Sequence, residues 1–209
     1  MSNRALITGK GSTIGIYLHW NGGMDSVAPF LEYASYHNPQ GLGKDAYDDG
    51  LATLITIVNN FMQYGSVDVV TIDTAELNDP NYSSGCDNGV YVVDGKWNIV
   101  DRIDAPQVEQ DGHNYKEMML EIDQAQPEEM QLGEDFLNAK VIPTTEATVG
   151  MIVFKKSYVG WEKHTIQHIG NPTGDPVPNM LPDYTPYTGE YPAWNPNGYI
   201  STNTVRVVI

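Results

Sequence analysis

The run His19-Trp20-Asn21-Gly22-Gly23-Met24-Asp25-Ser26 is the most unusual stretch of the chain for chemistry. A strand pattern precedes it and a helix pattern follows, and backbone N–H groups at such a helix start attract anions. It lacks the spaced glycines and the Lys-Ser/Thr ending of a phosphate loop. A small ligand held here, a nucleotide-derived signal or a phosphorylated metabolite, would use His19, Trp20, Asn21, Asp25 and Ser26, with Asp87 and Asn88 from a second polar loop. Ser26 as a nucleophile with His19 as its base is a further reading, but closeness in sequence is not triad geometry. The plainer reading is a structural turn leading into a capped helix.

The other candidates carry weaker signals. Cys86 would be a nucleophile only with a histidine beside it, and no cysteine signature surrounds it. His164 and His168 have the i,i+4 spacing of a zinc helix, but Thr165 stands where the catalytic glutamate belongs. Asp45, Asp48 and Asp49 fall short of a calcium-loop pattern. No metal, cofactor or catalytic set is assigned, and an enzymatic role is the less favoured one. Paired carboxylates mean little in a chain with 27 acidic residues.

The elements that must position these residues read as an α+β protein: a small, mostly antiparallel sheet packed by several helices. Strands are expected at 4–8 and 13–18, joined by the turn Gly9-Lys10-Gly11-Ser12. A helix capped by Asp25 or Ser26 should run to about Tyr36, with Pro29 in its first turn. Leu51, Leu54, Ile55, Val58, Phe61 and Met62 recur every three or four residues and form one apolar stripe. Asp48 and Asp49 favour the start of that helix and Tyr64-Gly65 its end. Further strands are expected at 67–73, at 89–93 and 97–102 around the tight-turn pair Asp94-Gly95, and at 149–154. Met118, Met119, Ile122 and Ala125 suit one helix, and a second should start at Pro127 with Met130, Leu132, Phe136 and Leu137 apolar.

Residues 171–198 hold seven prolines with Tyr184, Tyr187, Tyr191 and Trp194 among them, and the chain ends on a strand pattern at 204–209. Proline spacing excludes a helix there. The expected division is an acidic α+β domain at 1–170 and a Pro/aromatic-rich extension at 171–209.

Charge bounds the partners. The 209 residues carry 27 acidic and 11 basic side chains, a formal −16. A phosphate backbone would be repelled, and the densest basic stretch is only Lys155, Lys156 and Lys163. Direct nucleic-acid binding is therefore not expected. Residues 104–146 hold 11 acids against Lys116 and Lys140. Glu117, Glu121, Asp123, Glu128, Glu129, Glu134 and Asp135 from this stretch would form a face for a basic protein. One cysteine gives no disulfide framework, and the apolar run at 51–62 is too short to span a bilayer. No membrane association is expected, and the bacterial host cytoplasm is the expected setting.

The segment Ile16-Tyr17-Leu18-His19-Trp20-Asn21-Gly22-Gly23 with Asp25-Ser26-Val27, then Phe30, Leu31 and Tyr33, resembles a family of small proteins carried by phages, prophages and mobile elements of gut Firmicutes. Asp87-Asn88-Gly89-Val90-Tyr91 and Trp97-Asn98-Ile99-Val100 add to the resemblance, which spans about residues 4–137. Type II-A anti-CRISPR proteins, which inhibit Cas9, are similar to members of that group. The resemblance implies an accessory protein that inhibits a host defence system by occupying the nucleic-acid groove of a basic effector such as Cas9. The alternatives are a small-ligand binder or enzyme using the turn at 19–26, and a virion or assembly component with the tail as an arm.

Overall fold

In a computed structural model of the chain, described for residues 3–42, 49–63, 65–79, 81–105, 112–157, 160–166 and 204–208, the α+β class is observed. The chain divides into two compact units, 1–131 and 132–209, instead of at 170/171. The reason lies in the last strand, which is built into the second sheet.

The first unit is a five-stranded sheet with three helices. Its strands are β1 (Ala5–Gly9), β2 (Ile14–Leu18), β3 (Val67–Thr71), β4 (Val90–Val93) and β5 (Ile99–Ile103), in the order β3-β2-β1-β4-β5. Among its neighbouring pairs, β1–β4 is parallel and the other three are antiparallel. Every residue of β1 is buried, as a central strand covered on both faces requires. On one face Leu6 and Val90 join Tyr17, Val70, Val92 and Ile103 beneath Ile72, Leu77, Tyr82 and Cys86. The other face carries Ala5, Ile7, Ile16, Leu18, Tyr91 and Val93, all fully buried. Helices α1 (Met24–His37), α2 (Asp49–Met62) and α3 (Tyr115–Ala125) pack on one another and add Val27, Phe30, Leu31, Leu54, Ile57, Val58, Met118 and Ile122 to the core. Burying each such side chain is worth about 1.5–3 kcal/mol before entropy.

Two local expectations shift. The cap of α1 is Gly23, so Asp25 and Ser26 are inside the helix and Pro29 falls in its second turn. The β4–β5 connection occupies residues 94–98, longer than a two-residue hairpin. Asp94 organises it by accepting from Lys96 N at 2.8 Å and Asn98 N at 2.9 Å, and Trp97 takes φ 66°. The amides and the Asn98 side chain hold the Asp94 carboxyl below its ordinary range, Asn98 contributing most.

In the second unit the helix expected after Pro127 is cut short. A 3-10 turn at Glu128–Met130 closes the first unit, and α4 (Glu134–Leu137) is one turn long. Gly133, at φ 81° and ψ 156°, separates them in a conformation that excludes a side chain and breaks any continuous helix. Strands β6 (Lys140–Pro143), β7 (Ile152–Ser157), β8 (Gly160–Thr165) and β9 (Thr204–Val208) form an antiparallel sheet ordered β6-β9-β7-β8. One face packs Ile142, Val153, Ile166, Val205 and Val207 with Ala147 and Met151. On the other, the Phe136 ring meets Phe154 at 5.0 Å, Trp161 at 4.9 Å and the Arg206 guanidinium at 4.5 Å. The basic stretch is used here too: Lys156 lies over Trp161 and Lys163 over Phe154. Burial lowers the Lys156 pKa.

Because β9 is an inner strand, Val207→Asp should remove the second unit's cooperative unfolding. A charge at this buried position costs about 3 kcal/mol or more. Amide exchange read strand by strand checks this: β6, β7 and β8 should lose protection together while β1 and β4 keep theirs.

Candidate functional site

Of the residues expected to bind a ligand, Asp87 and Asn88 meet the entry of β1 at one end of the first sheet, where Gly22 of the turn also lies. Their polar groups are directed at the chain itself. Asn3 O accepts from Gly22 N at 2.8 Å, and Arg4 O accepts from Asn88 N at 2.9 Å. Asp87 accepts from Arg4 N at 3.0 Å and from its guanidinium at 3.1 and 3.2 Å. The buried Asn88 side chain donates to Asn3, and the Asn88 backbone carbonyl accepts from the Arg102 guanidinium. Gly22 must be glycine for a steric reason: a Cβ there would lie 2.7 Å from Ala5 N and Arg4 C. Its carbonyl accepts from the buried Tyr91 hydroxyl at 2.8 Å.

The rest of the turn faces elsewhere. Asp25 accepts from Gly112 N and His113 N at 2.8 and 3.0 Å, and Asn21 Oδ1 lies 3.4 Å from the His113 ring. These bonds tie the turn to the segment just before α3. Ser26 is fully buried, which keeps its hydroxyl from any solvent-borne substrate. His19 turns outward onto Asp68 at 2.8 Å, away from Ser26 as a base partner. Trp20 is 52% exposed. The bonds of the turn fix it to the entry of β1 and to residues 112–113 and leave the Trp20 indole at the surface.

The acidic residues separate by role. Asp123 was expected on the exposed face but is 4% exposed and lies 2.8 Å from the Tyr33 hydroxyl, joining α1 to α3. It occupies the inner stripe of α3 with Met118, Met119 and Ile122. Sequence reasoning also missed the buried Gln126, which takes the Asn60 amide at 3.0 Å and donates to Ile57 O and Ile122 O. Glu117, Glu121, Glu128 and Glu129 are exposed. Glu134 and Asp135 belong to the second unit, where Asp135 pairs with Lys163.

A depression of about 440 Å³ opens in the first unit. Helix α1 lines it with Leu31, Glu32 and Ser35, the β4–β5 connection with Lys96 and Trp97, β5 with Ile99, and α3 with Tyr115. Both Glu32 oxygens are engaged by phenols: Tyr36 donates to one and Tyr115 to the other. Burial, and then the Glu32 carboxylate, push the Tyr115 pKa far above the phenol range, so it stays a donor. Glu32 and Tyr36 share a helix face by their i,i+4 spacing, a signal present in the sequence. Tyr115 joins them from 83 residues away, which spacing does not reveal.

The remaining candidates place as follows. Cys86 is buried and desolvation raises its thiol pKa, the reverse of an activated nucleophile. His164 lies on β8, while His168, Asp45 and Asp48 are outside the described residues, as are Glu109, Asp111 and the tail aromatics. Among the described residues no group of three His, Cys, Asp or Glu side chains is placed to hold a metal, and no helix is long and apolar enough to cross a membrane.

Two measurements check these assignments. Asp123→Ala should destabilise the first unit by about 0.5–1.5 kcal/mol in urea unfolding, since it removes one hydrogen-bond acceptor from the Tyr33 hydroxyl and leaves it Met130 O at 3.0 Å. Glu117→Gln and Glu121→Gln should each stay within about 0.5 kcal/mol. Native Cys86 should alkylate slowly at neutral pH, faster as pH rises through its elevated pKa, and at the rate of a free thiol once urea unfolds the chain.

No protein-family model, curated protein or solved structure matches this chain.

Proposed function

We propose that this protein acts by binding a basic, nucleic-acid-handling protein, with its acidic first unit taking the place of nucleic acid in the partner's groove. The observation that supports this most directly is the partition of charge. Residues 1–131 carry 20 acidic and 6 basic side chains, a formal −14, whereas residues 132–209 carry 7 and 5, a formal −2. The acidic face is thus assigned to Glu117 and Glu121 on α3, one turn apart, and to Glu128 and Glu129 just beyond it. Lys116 is the one basic residue among them. The turn carrying Trp20 is tied to residues 112–113, directly before α3, and an exposed indole is the side-chain type that anchors interfaces. Charge complementarity supplies rate and partner choice, and the aromatic contact supplies affinity.

The partner class proposed rests on the resemblance to a mobile-element family to which Cas9 inhibitors are similar: a host defence effector that holds nucleic acid in a basic channel, such as Cas9. Use of the turn at 19–26 by a small ligand is less well supported, because its polar atoms are engaged in fixing β1 and α3.

The tagged full chain, incubated with bacterial extract, should capture nucleic-acid-binding proteins identifiable by mass spectrometry. Duplex DNA should displace them, as should salt at about 0.5 M, where screening is nearly complete over molecular distances. The combined change of Glu117, Glu121, Glu128 and Glu129 to Gln should reduce capture several-fold at low salt. Capture that ignores salt, DNA and these substitutions would overturn the proposal.

A further inference from the structure

We propose that the depression between α1, the β4–β5 connection and α3 receives an arginine side chain of the basic partner. This rests on the binding function proposed above and assigns it a specific pocket. The central observation is the state of Glu32. Both of its oxygens accept from tyrosine hydroxyls, which are neutral donors. Among the described residues it has no ion pair, although Lys96 lines the same depression. Phenols orient a carboxylate without cancelling its charge. Each carboxylate oxygen has a second acceptor site to offer, and the tyrosine oxygens have lone pairs of their own. A recess built this way favours a cation with several directed donors.

The walls narrow the choice. Trp97 and Tyr115 line the recess; Trp97 is almost wholly buried and forms part of its wall, while Tyr115 is 44% exposed and offers an aromatic ring, with which cations and planar guanidinium groups associate. Leu31 and Ile99 offer apolar surface to a methylene stem. Arginine fits better than lysine because its flat fork presents five donors and stacks, whereas an ammonium is a compact, strongly hydrated charge. A volume of about 440 Å³ accommodates such a group with solvent to spare.

An anion is the opposite possibility, given Lys96 and the start of α3. The first amides of α3 are already taken, however: Asn114 accepts from Lys116 N at 3.0 Å and from Glu117 N at 3.3 Å. Lys96 itself is exposed, free to carry its charge outward along its stem. Tyr115 is the first residue of α3, so the recess is continuous with the helix that carries exposed Glu117 and Glu121.

The test titrates N-acetyl-arginine amide, N-acetyl-lysine amide and N-acetyl-glutamate into the isotope-labelled full chain and follows backbone amides. Arginine should shift the amides of Leu31, Glu32, Trp97 and Tyr115 saturably, lysine more weakly, and glutamate not at all. Glu32→Gln should weaken arginine binding about tenfold or more, the loss of a charge-assisted contact, with the rest of the spectrum unchanged. Lys96→Glu, at an exposed position, should tighten it and serves as the second variant if Glu32→Gln perturbs folding. Shifts scattered over the acidic surface and indifferent to both substitutions would overturn the pocket, as would preferential binding of glutamate. If extract proteins are captured in a salt-dependent way while arginine leaves these amides unmoved, the pocket falls and the partner reading stands. If arginine binds here but no nucleic-acid-binding protein is captured, the pocket stands and the partner reading falls.

Discussion

The first unit depends on how β1 enters the middle of its sheet. This strand pairs antiparallel with β2 on one side and parallel with β4 on the other, and both of its faces are buried. A slip of one residue would exchange Leu6 and Ile7 between two differently shaped cores. Four successive links forbid it: Asn3 to Gly22, Arg4 to Asp87 and to Asn88, and Leu6 N to Gly89 O at 3.0 Å. The polar turn at 19–26 and the loop at 87–88 read from sequence as a ligand site or, more plainly, as a structural turn, because the same groups that hold ligands also hold backbone. In the structure Gly22, Asp87 and Asn88 are bonded to Asn3 and Arg4 at the start of the central strand.

That constraint propagates to the helices. The Asn21–Asp25 segment that closes over β1 also fixes residues 112–113, and thereby the beginning of α3. Further along, Tyr33 and Asp123 join α1 to α3, while Asn60 and Gln126 join α2 to α3. The outward face of α3, with Glu117 and Glu121, and the Tyr115 side of the depression are therefore oriented by buried polar bonds as well as by apolar packing. A surface used for recognition benefits from such fixing, since less ordering entropy is lost on binding.

What the sequence made legible follows from periodicity. The apolar stripe of α2 reports its packing face, and α2, β1, β2 and β3 fall within a residue or two of expectation, but burial does not follow strand pattern alone: β1 is buried at every position, whereas the β-branched run of β3 has no fully buried residue. Partnership between distant segments left no such trace. The terminal strand pattern indicates that the chain's end returns to a sheet, but nothing local in Val205-Arg206-Val207 says that β9 lies between β6 and β7. Asp123 has the same composition signal as its neighbours Glu117 and Glu121, but the helical phase set by Met119 and Ile122 carries it inward. The Glu32 recess was half visible, in the i,i+4 pair with Tyr36, and completed only by Tyr115 from another element.

The way this unit satisfies its carboxylates bears on why its charge survives folding. Asp25, Asp73, Asp79, Asp94, Asp101 and Asp104 each accept from backbone N–H groups, and Glu32 accepts from phenols. Asp87 with Arg4 is the one Lys/Arg–carboxylate pair among the described residues of this unit. A neutral donor stabilises a carboxylate locally and removes none of its net charge, whereas an ion pair would cancel it at a distance. Folding therefore offsets the cost of placing acids in turns and leaves the long-range field intact. Self-repulsion among 20 acids is the cost of that arrangement. Any partner bringing positive charge would relieve it, so the electrostatic term that works against the isolated unit would favour such a complex.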